Sequence, residues 1–332
     1  MARKEFGLRA TGRIGDEKLA KRIQSAIGGD VLFDPFTRGR YATDASHYQV
    51  EPVGVVVPTS ADEVKTVIDI ARDEGMPVLP RGGGTSQCGQ TVGEAIVVDV
   101  TKHMNRVLEF DASSRTARVE PGIVLDKLNA YLKPHDLWFP VDVSTSSRAT
   151  IGGMTGNNSC GSRSIRYGTM RDNVRGVDAI LPDGTAMHFG EVSDNQSMAG
   201  LADHQRDLVA KLLEMGRDRE ALVKDSFPDL MRRVGGYNID ALMPAGPARG
   251  GWSNQTVHQT APLPNLAHLL VGSEGTLAFS TAVDISLQPL PKAKTLGVCH
   301  FPKFYDAMNA AQHLVKLGPV AVELVDRTMI EL

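Results

Sequence analysis

The sequence predicts a mixed α+β fold, on three observations. Short apolar runs of strand length, at 53–57, 78–79, 95–100, 116–119, 174–181, 186–189 and 283–287, are separated by stretches of helical period. The first two runs enclose one amphipathic helix, and this strand–helix–strand unit delivers its next turn onto a strand end, where such proteins place ligands. Three glycine-rich stretches, at 80–86, 144–161 and 272–278, interrupt the pattern.

The elements follow in order. Residues 1–47 read as a helical lead-in: Leu19, Ile23 and Ile27 recur at helical spacing, and Gly28-Gly29 stops the pattern. Tyr41-Ala42-Thr43-Asp44-Ala45-Ser46 is small and polar and reads as an ordered loop. The strand at 53–57 is closed by Pro58. Ser60 and Glu63 then form a capping box for a helix whose inner face is Val64, Val67, Ile68 and Ala71, and Gly75 ends it. Pro121-Gly122 turns the chain into a helix with Leu125, Leu128 and Leu132 on one face, and Trp138-Phe139-Pro140 reads as core. Pro182-Asp183-Gly184-Thr185 is a hairpin signal. Residues 203–223 read as one long helix with Leu208, Leu212 and Met215 inward. Residues 241–263 are rich in Gly and Pro and aperiodic, either a surface loop or an insertion. Residues 269–271 read as a strand running into the third glycine stretch. Pro289 and Pro291 mark a boundary, after which 304–317 is a helical pattern and 320–325 a strand. A unit that begins near residue 291 is too short to bury a core of its own, so it is expected to be the beginning of a larger domain or to lean on a partner.

Composition excludes several functions. The formal charge of -3 carries no electrostatic footprint for nucleic acid. No run reaches the ~20 apolar residues of a membrane span. The start, Met1-Ala2-Arg3-Lys4-Glu5-Phe6, lacks the apolar centre of a signal peptide. Cys88, Cys160 and Cys299 are widely spaced, which fits a reducing cytoplasm and no metal cluster. Cytoplasmic location is therefore expected, with peripheral attachment at the inner membrane through a partner as the alternative. Asp44, His47, His103, His135, His188 and His300 are scattered and read as surface or packed residues.

The chemistry is carried by the glycine stretches. In Pro80-Arg81-Gly82-Gly83-Gly84-Thr85-Ser86, successive residues without Cβ let main-chain N–H groups approach a ligand closely, and a nest of such donors suits a diphosphate. A nucleotide P-loop is excluded: Gln90 stands where its lysine must be, and a strand rather than a helix follows. The second stretch, 144–161, is too long and polar for a turn, and its hydroxyls and amides suit the edge of a flat polar ring.

Taken together, Arg81-Gly82-Gly83-Gly84-Thr85-Ser86, Ala149-Thr150-Ile151-Gly152-Gly153 and Gly272-Ser273-Glu274-Gly275-Thr276-Leu277 resemble, in order and spacing, the flavin-binding family of vanillyl-alcohol oxidase and p-cresol methylhydroxylase type. The closer similarity is to its D-lactate, glycolate and D-2-hydroxyglutarate dehydrogenase branch, and within it to large bacterial proteins that fuse this module to an iron–sulfur region. The resemblance implies an FAD-binding domain over 48–290, in lobes of about 48–112 and 113–290, followed at 291–332 by the incomplete start of an α+β substrate domain.

The resemblance also implies site residues. Pro80, Arg81, Gly82, Gly83, Gly84, Thr85 and Ser86 would wrap the pyrophosphate. Pro121 and Gly122 would lie by the adenosine. Asp142, Ser146, Ser147, Thr150, Gly152 and Gly153 would edge the ligand towards its ring, with Asn157, Ser159, Gly161, Tyr167 and Gly168 at the isoalloxazine. Gly272, Ser273, Glu274, Gly275, Thr276, Leu277 and Ala278 would close over the FAD. Thr85 occupies the position where relatives with covalent flavin carry histidine, so noncovalent FAD is expected; Cys160 reads as a small neutral loop residue rather than a thioether link. Tyr237 and Asn238, in Arg232-Arg233-Val234-Gly235-Gly236-Tyr237-Asn238, are the candidates facing a substrate, and Glu323-Leu324-Val325-Asp326 resembles the start of the substrate domain. No His-x-Gly-Asp-Gly-Asn motif occurs, so no metal site is expected, and no catalytic base is assigned. The implied activity is oxidation of a 2-hydroxy acid, with electrons leaving to an iron–sulfur region, a quinone or an electron-transfer protein. The alternatives are an NADPH-dependent reductase of the same fold, like the one that makes UDP-muramic acid, and a non-catalytic FAD module of a larger oxidase.

Overall fold

A computed structural model describes residues 12–192, 200–228, 230, 232–243 and 263–332. The start of the chain and most of the Gly/Pro-rich 241–263 stretch lie outside the described residues.

The first lobe runs α1 (Glu17–Gln24), β1 (Asp30–Leu32), α2 (Pro35–Tyr41), β2 (Gly54–Val57), α3 (Ala61–Asp73), β3 (Val78–Arg81) and β4 (Ile96–Asp99). Its sheet has the order β1-β2-β4-β3, with β4 parallel to both β2 and β3 and β1 antiparallel at the edge. All four residues of β2 and of β4 are buried, as expected of central strands covered on both faces. Leu19, Ile23 and Ile27 pack into the same core as Val64, Val67 and Ile68, so the lead-in is an integral layer of this lobe. Ser60 caps α3 as expected, accepting from Glu63 N at 3.3 Å. The other half of the capping box is absent: the Glu63 carboxylate accepts from Thr59 N at 2.7 Å and from Gly28 N at 2.8 Å, tying the lead-in to α3.

The second lobe continues with β5 (Val107–Asp111), β6 (Thr116–Val119), α4 (Leu125–Leu132), β7 (Leu137–Trp138), α5 (Ile151–Asn157), α6 (Ser164–Tyr167), α7 (Met170–Asn173), β8 (Val174–Ile180), β9 (Ala186–Phe189), α8 (Asp203–Asp218), α9 (Glu220–Ser226), α10 (Ala267–Leu270), β10 (Phe279–Ser286) and β11 (Gln288–Pro289). Its sheet is antiparallel throughout, in the order β5-β6-β10-β8-β9. β5 pairs with β6, so the change of sheet falls before residue 107, earlier than the 112 expected. Leu125, Leu128 and Leu132 are buried against this sheet with Phe139, each such burial stabilising by about 1.5–3 kcal/mol. Ile180 and Phe279 reach across into the first lobe's core and join the two lobes.

Four local expectations are corrected. The 144–161 stretch is not loop throughout: Thr150 caps α5 through Gly153 N at 3.3 Å, and the glycines inside it hid its helical period. Residues 267–270 form the helical turn α10, not a strand, because an isolated apolar run of three carries no period. The 203–223 helix breaks at Arg219 into α8 and α9, and Met215 is exposed while Val209 is buried. Beyond Pro291, α11 (Phe304–Leu314) forms and α12 (Arg327–Glu331) follows, but 320–325 makes no strand, having no partner among the described residues to complete a ladder.

Candidate functional site

A cleft of about 580 Å³ opens between the two sheets, walled by the first glycine loop, α5 and the third glycine loop. The first loop leaves the end of β3, as the sequence predicts. Among the described residues, the main-chain N–H groups of Gly82, Gly83, Gly84, Thr85 and Ser86 donate to no protein acceptor. The absence of side chains is enforced by the second lobe. A Cβ on Gly82 would strike Thr150 Oγ1, and one on Gly83 would strike the carbonyl oxygen of Arg148. The lobes can approach this closely only because both positions are glycine.

The third loop is laid onto α5 by main-chain bonds: Gly272 N donates to Thr155 O and Glu274 N to Gly156 O, both at 2.9 Å. Glu274 (φ 53) and Gly275 (φ 72) hold the left-handed backbone of this turn. Beneath it lies a buried network. Asp240 accepts from Arg171 Nη1 at 2.7 Å and from Arg233 Nη2 at 2.6 Å. Asn238 Oδ1 accepts from the same two guanidinium groups, and its Nδ2 donates to His268 O and Val271 O. Burial opposes ionisation of Asp240, but the two arginines prevail and hold its carboxyl below the usual range.

Of the predicted site residues, Pro80, Arg81, Gly82, Gly83, Gly84, Thr85, Ser86, Pro121, Thr150, Gly152, Gly153, Asn157, Ser159, Ser273, Glu274, Gly275 and Ala278 line the cleft. The others stand behind its wall. Gly122 N donates to Met104 O at 2.8 Å, holding the turn against the segment that follows β4. Asp142 faces the 161–163 turn, accepting from Ser162 Oγ and Arg163 N, and Gly161 packs on its carbonyl. Ser146 bonds towards α4 through Asp126 N, and Ser147 is exposed. Tyr167 is buried edge-on against Trp138, with centroids 5.5 Å apart, and Gly168 N caps α6 on Ser164 O. Gly272 is anchored on α5, Thr276 bonds Ser273 O and Tyr237 Oη, and Leu277 packs on the second core.

Three expectations change in kind. Asn238 is not available to a substrate: it is buried, and both ends of its amide are taken. Tyr237 is half exposed and bonds Thr276 Oγ1 at 2.8 Å, outside the cleft wall, where Val234 and Gly235 stand instead. Arg81 lines the cleft but turns its guanidinium away from it, onto the carbonyls of Tyr41, Thr43 and Thr91. The nitrogens of Gly152 and Gly153 are also spoken for, on Pro121 O and Thr150 Oγ1.

Gln90 and Asn158 are among the lining residues that the sequence reading did not assign to the site. Gln90 Nε2 stands 3.4 Å from Glu274 Oε1. Asn158 caps α5 in the left-handed region (φ 50), its Oδ1 accepting from Arg171 N at 3.0 Å. Asparagine tolerates that backbone better than most residues, and this was the available signal. Gln90 Oε1 and Asn158 Nδ2 are buried and have no protein partner. Such atoms are costly unless something pairs with them, but both lie beneath the surface of the wall, and the donors the wall itself offers are the free N–H groups of the first loop. Arg81 and Glu274 are the charged residues among those lining it. A large, flat, polar ligand with a diphosphate fits this donor set. Cys88 and Cys160 also line the wall as free thiols.

Comparison with known proteins agrees. The family described as FAD binding domain matches residues 52–190. The chain is similar to D-2-hydroxyglutarate dehydrogenase of Pseudomonas putida, 34% identical over 315 residues, covering 93% of this chain and 30% of that protein. It is similar to the enzyme of the same name from Escherichia coli K12, 32% identical, with 93% and 30% covered. It is also similar to glycolate oxidase subunit GlcD of Bacillus subtilis, 29% identical, with 91% and 52% covered. The chain thus spans about 30% of the length of the D-2-hydroxyglutarate dehydrogenases it matches. Among solved structures, alkyldihydroxyacetonephosphate synthase shares the fold, with TM-score 0.60 and 18% identity over 92% of this chain and 46% of that one. Residues 52–190 thus match the FAD binding domain family, with FAD as the cofactor, and 92% of the chain shares the fold of that synthase.

Proposed function

We propose that this chain is the flavin-holding part of a dehydrogenase or oxidase acting on a 2-hydroxy acid such as D-2-hydroxyglutarate, D-lactate or glycolate. The observation that carries the reading is the row of free N–H groups that the first loop, Gly82 to Ser86, brings to the cleft. When bound, FAD supplies the two-electron acceptor, at its N5, for the carbon-bound hydrogen of the hydroxy acid. The chain's own residues bind and orient. The 82–86 loop holds the diphosphate, and the third loop, with Ser273 and Glu274, closes the wall and excludes water. Thr85 leaves the link noncovalent. The three relatives named above act, by their names, on D-2-hydroxyglutarate or glycolate, which supports the substrate class.

Residues 291–332 serve, in this reading, as the beginning of the substrate domain. Their exposed Phe304, Tyr305 and Met308 on α11 support it, as a face made for further packing. The electron acceptor is an iron–sulfur region, a quinone or an electron-transfer protein beyond these residues. Among the described residues no helix is long and apolar enough to cross a membrane. Location is cytoplasmic or peripheral at the inner membrane.

The test begins with the visible spectrum of the purified chain. A yellow protein whose colour passes to the supernatant as FAD on acid precipitation is expected. Colour retained in the pellet would overturn the noncovalent link, and failure to take up added FAD would overturn the site. Anaerobic bleaching of the longest available form by D-2-hydroxyglutarate, D-lactate or glycolate is the expected result. Bleaching by NADPH and by none of these acids favours the reductase.

A further inference from the structure

The first glycine loop has two sides, and only one faces the cleft. The other is gripped by residues 41–50, a strap outside the 52–190 segment that matches the FAD binding domain family. Arg81 Nη1 donates to Tyr41 O at 3.1 Å and to Thr91 O at 2.9 Å, and Nη2 donates to Thr43 O at 2.7 Å. Ala45 N donates to Gly84 O at 3.0 Å, so the strap holds a carbonyl of the loop itself. Thr91 Oγ1, at the far end of the loop, donates to Asp44 Oδ2 at 2.9 Å, while Asp44 Oδ1 fastens the strap's own turn through Ser46 N at 2.8 Å. The strap is anchored to the sheet by Tyr41 Oη on Asp99 Oδ2 at 2.5 Å.

The consequence follows from the geometry of a peptide. Gly84 O is held from the strap side by Ala45 N, and Arg81 secures the strap through Tyr41 O and Thr43 O, so this peptide is fixed with its carbonyl toward the strap. Gly84, at φ 64, completes the turn. A Cβ there would lie 2.8 Å from Arg81 Nη2, so the guanidinium packs directly behind the loop. Among the described residues Arg81 has no carboxylate within ion-pair distance, and its partners are carbonyl oxygens. Its charge is therefore not cancelled by direct contact and adds to the attraction of the N–H side for an anion. Burial, the largest influence, pushes its pKa down, with Asp99, Tyr41 and Asp44 acting in the opposite sense; an arginine stays charged under such pressure where a lysine need not.

We propose that the strap 41–50 is a working part of the dinucleotide site, and that Arg81 is a positioning residue which fastens the strap, and through Ala45 N on Gly84 O the back of the 82–86 loop, so that the loop's N–H side is preset for a diphosphate. The proposal rests on the FAD reading of the cleft. Arg81 need not touch the ligand. Its planar fork serves three carbonyls from two nitrogens in a fixed plane, a geometry that the single ammonium of a lysine does not reproduce.

The test compares three probes, FAD, ADP and riboflavin, titrated into the flavin-stripped chain by calorimetry and fluorescence. FAD and ADP carry the diphosphate, and riboflavin does not. In Arg81→Lys and Arg81→Gln, FAD and ADP are expected to weaken by about tenfold or more, the loss equivalent to one charged hydrogen bond, with riboflavin changed less than about twofold. Thr91→Val severs only the tie to Asp44. It keeps the experiment decisive should the Arg81 variants not fold, and the same selective loss, about threefold, is expected from a weaker neutral bond. Wild-type affinity for FAD and ADP in a folded Arg81→Lys overturns the proposal, as does equal weakening of all three probes. A wild-type chain that binds neither FAD nor ADP overturns the reading of the cleft, and the proposal with it.

Discussion

Gln90 Nε2 and Glu274 Oε1 stand 3.4 Å apart, one just after the first glycine loop and the other on the third, so the two lobes touch side chain to side chain at the cleft. Burial pushes the Glu274 carboxyl above the ordinary value of 4.5, and the bond from Gln90 offsets this only in part. The folded state therefore holds this proton more tightly than the unfolded chain. Stability is lost as pH rises from about 4.5 through the raised value, and the full cost of the buried charge is present above it. Glu274→Gln removes the charge and keeps an acceptor for Gln90. It should melt higher than wild type at neutral pH, and the difference should close below pH 4.5, in thermal scans of the flavin-free chain. A variant that is less stable at every pH would refute a buried, costly carboxylate.

Gly83 approaches the Arg148 carbonyl so closely that no side chain fits. Gly83→Val should force the lobes apart and weaken FAD by about tenfold or more, since preset donors lose their geometry before the chain unfolds. The ratio of flavin to protein absorbance after gel filtration, with added FAD, reads this directly. Unchanged flavin content would contradict the site.

Asp240 is buried between Arg171 and Arg233. Asp240→Asn takes the carboxylate away from the buried Arg171 and the partly buried Arg233, and a loss of about 3–5 kcal/mol is expected in urea unfolding. The carboxyl is held below its ordinary 3.8, so the stability it contributes is present above that value and lost as pH falls through the lowered one. The wild type should therefore lose its advantage over the variant below about pH 3.8.

Leu128 is fully buried on α4 under the second sheet. Leu128→Ala should cost about 2–5 kcal/mol through the cavity it leaves. Below the melting temperature its affinity for FAD should match wild type, because Leu128 itself does not line the cleft. A tenfold loss of affinity in the folded variant would show that the core and the site are coupled.

Much of this was legible in the residues. The alternation of buried strands with the α3 pattern, the leucine face of α4 and the 182–185 hairpin follow from period and turn chemistry, and all three appear where expected. The glycine loops were legible because a backbone that must meet another backbone admits no side chain. Helix α5 was not, because its interior carries Gly152, Gly153 and Gly156, which erase the apolar period that marks a helix. Asn238 misled for a related reason. A polar residue in a glycine-rich turn reads as available, yet here both ends of its amide are used by Arg171, Arg233 and two carbonyls distant in sequence.

By itself, the sequence determined the fold class, the ordered trio of glycine loops and the kind of ligand they can hold. These depend on short-range properties: where Cβ is missing, where an apolar face repeats, where a lysine is absent. Tertiary structure alone decided which way each group faces. Arg81 lies in the loop by sequence but behind it in space, Gln90 becomes a cleft residue only when the lobes close, and Asn158 is left with a free buried N–H only because Arg171 claims its oxygen. Those outcomes depend on partners 10 to 184 residues away, and a pattern read along the chain does not contain them.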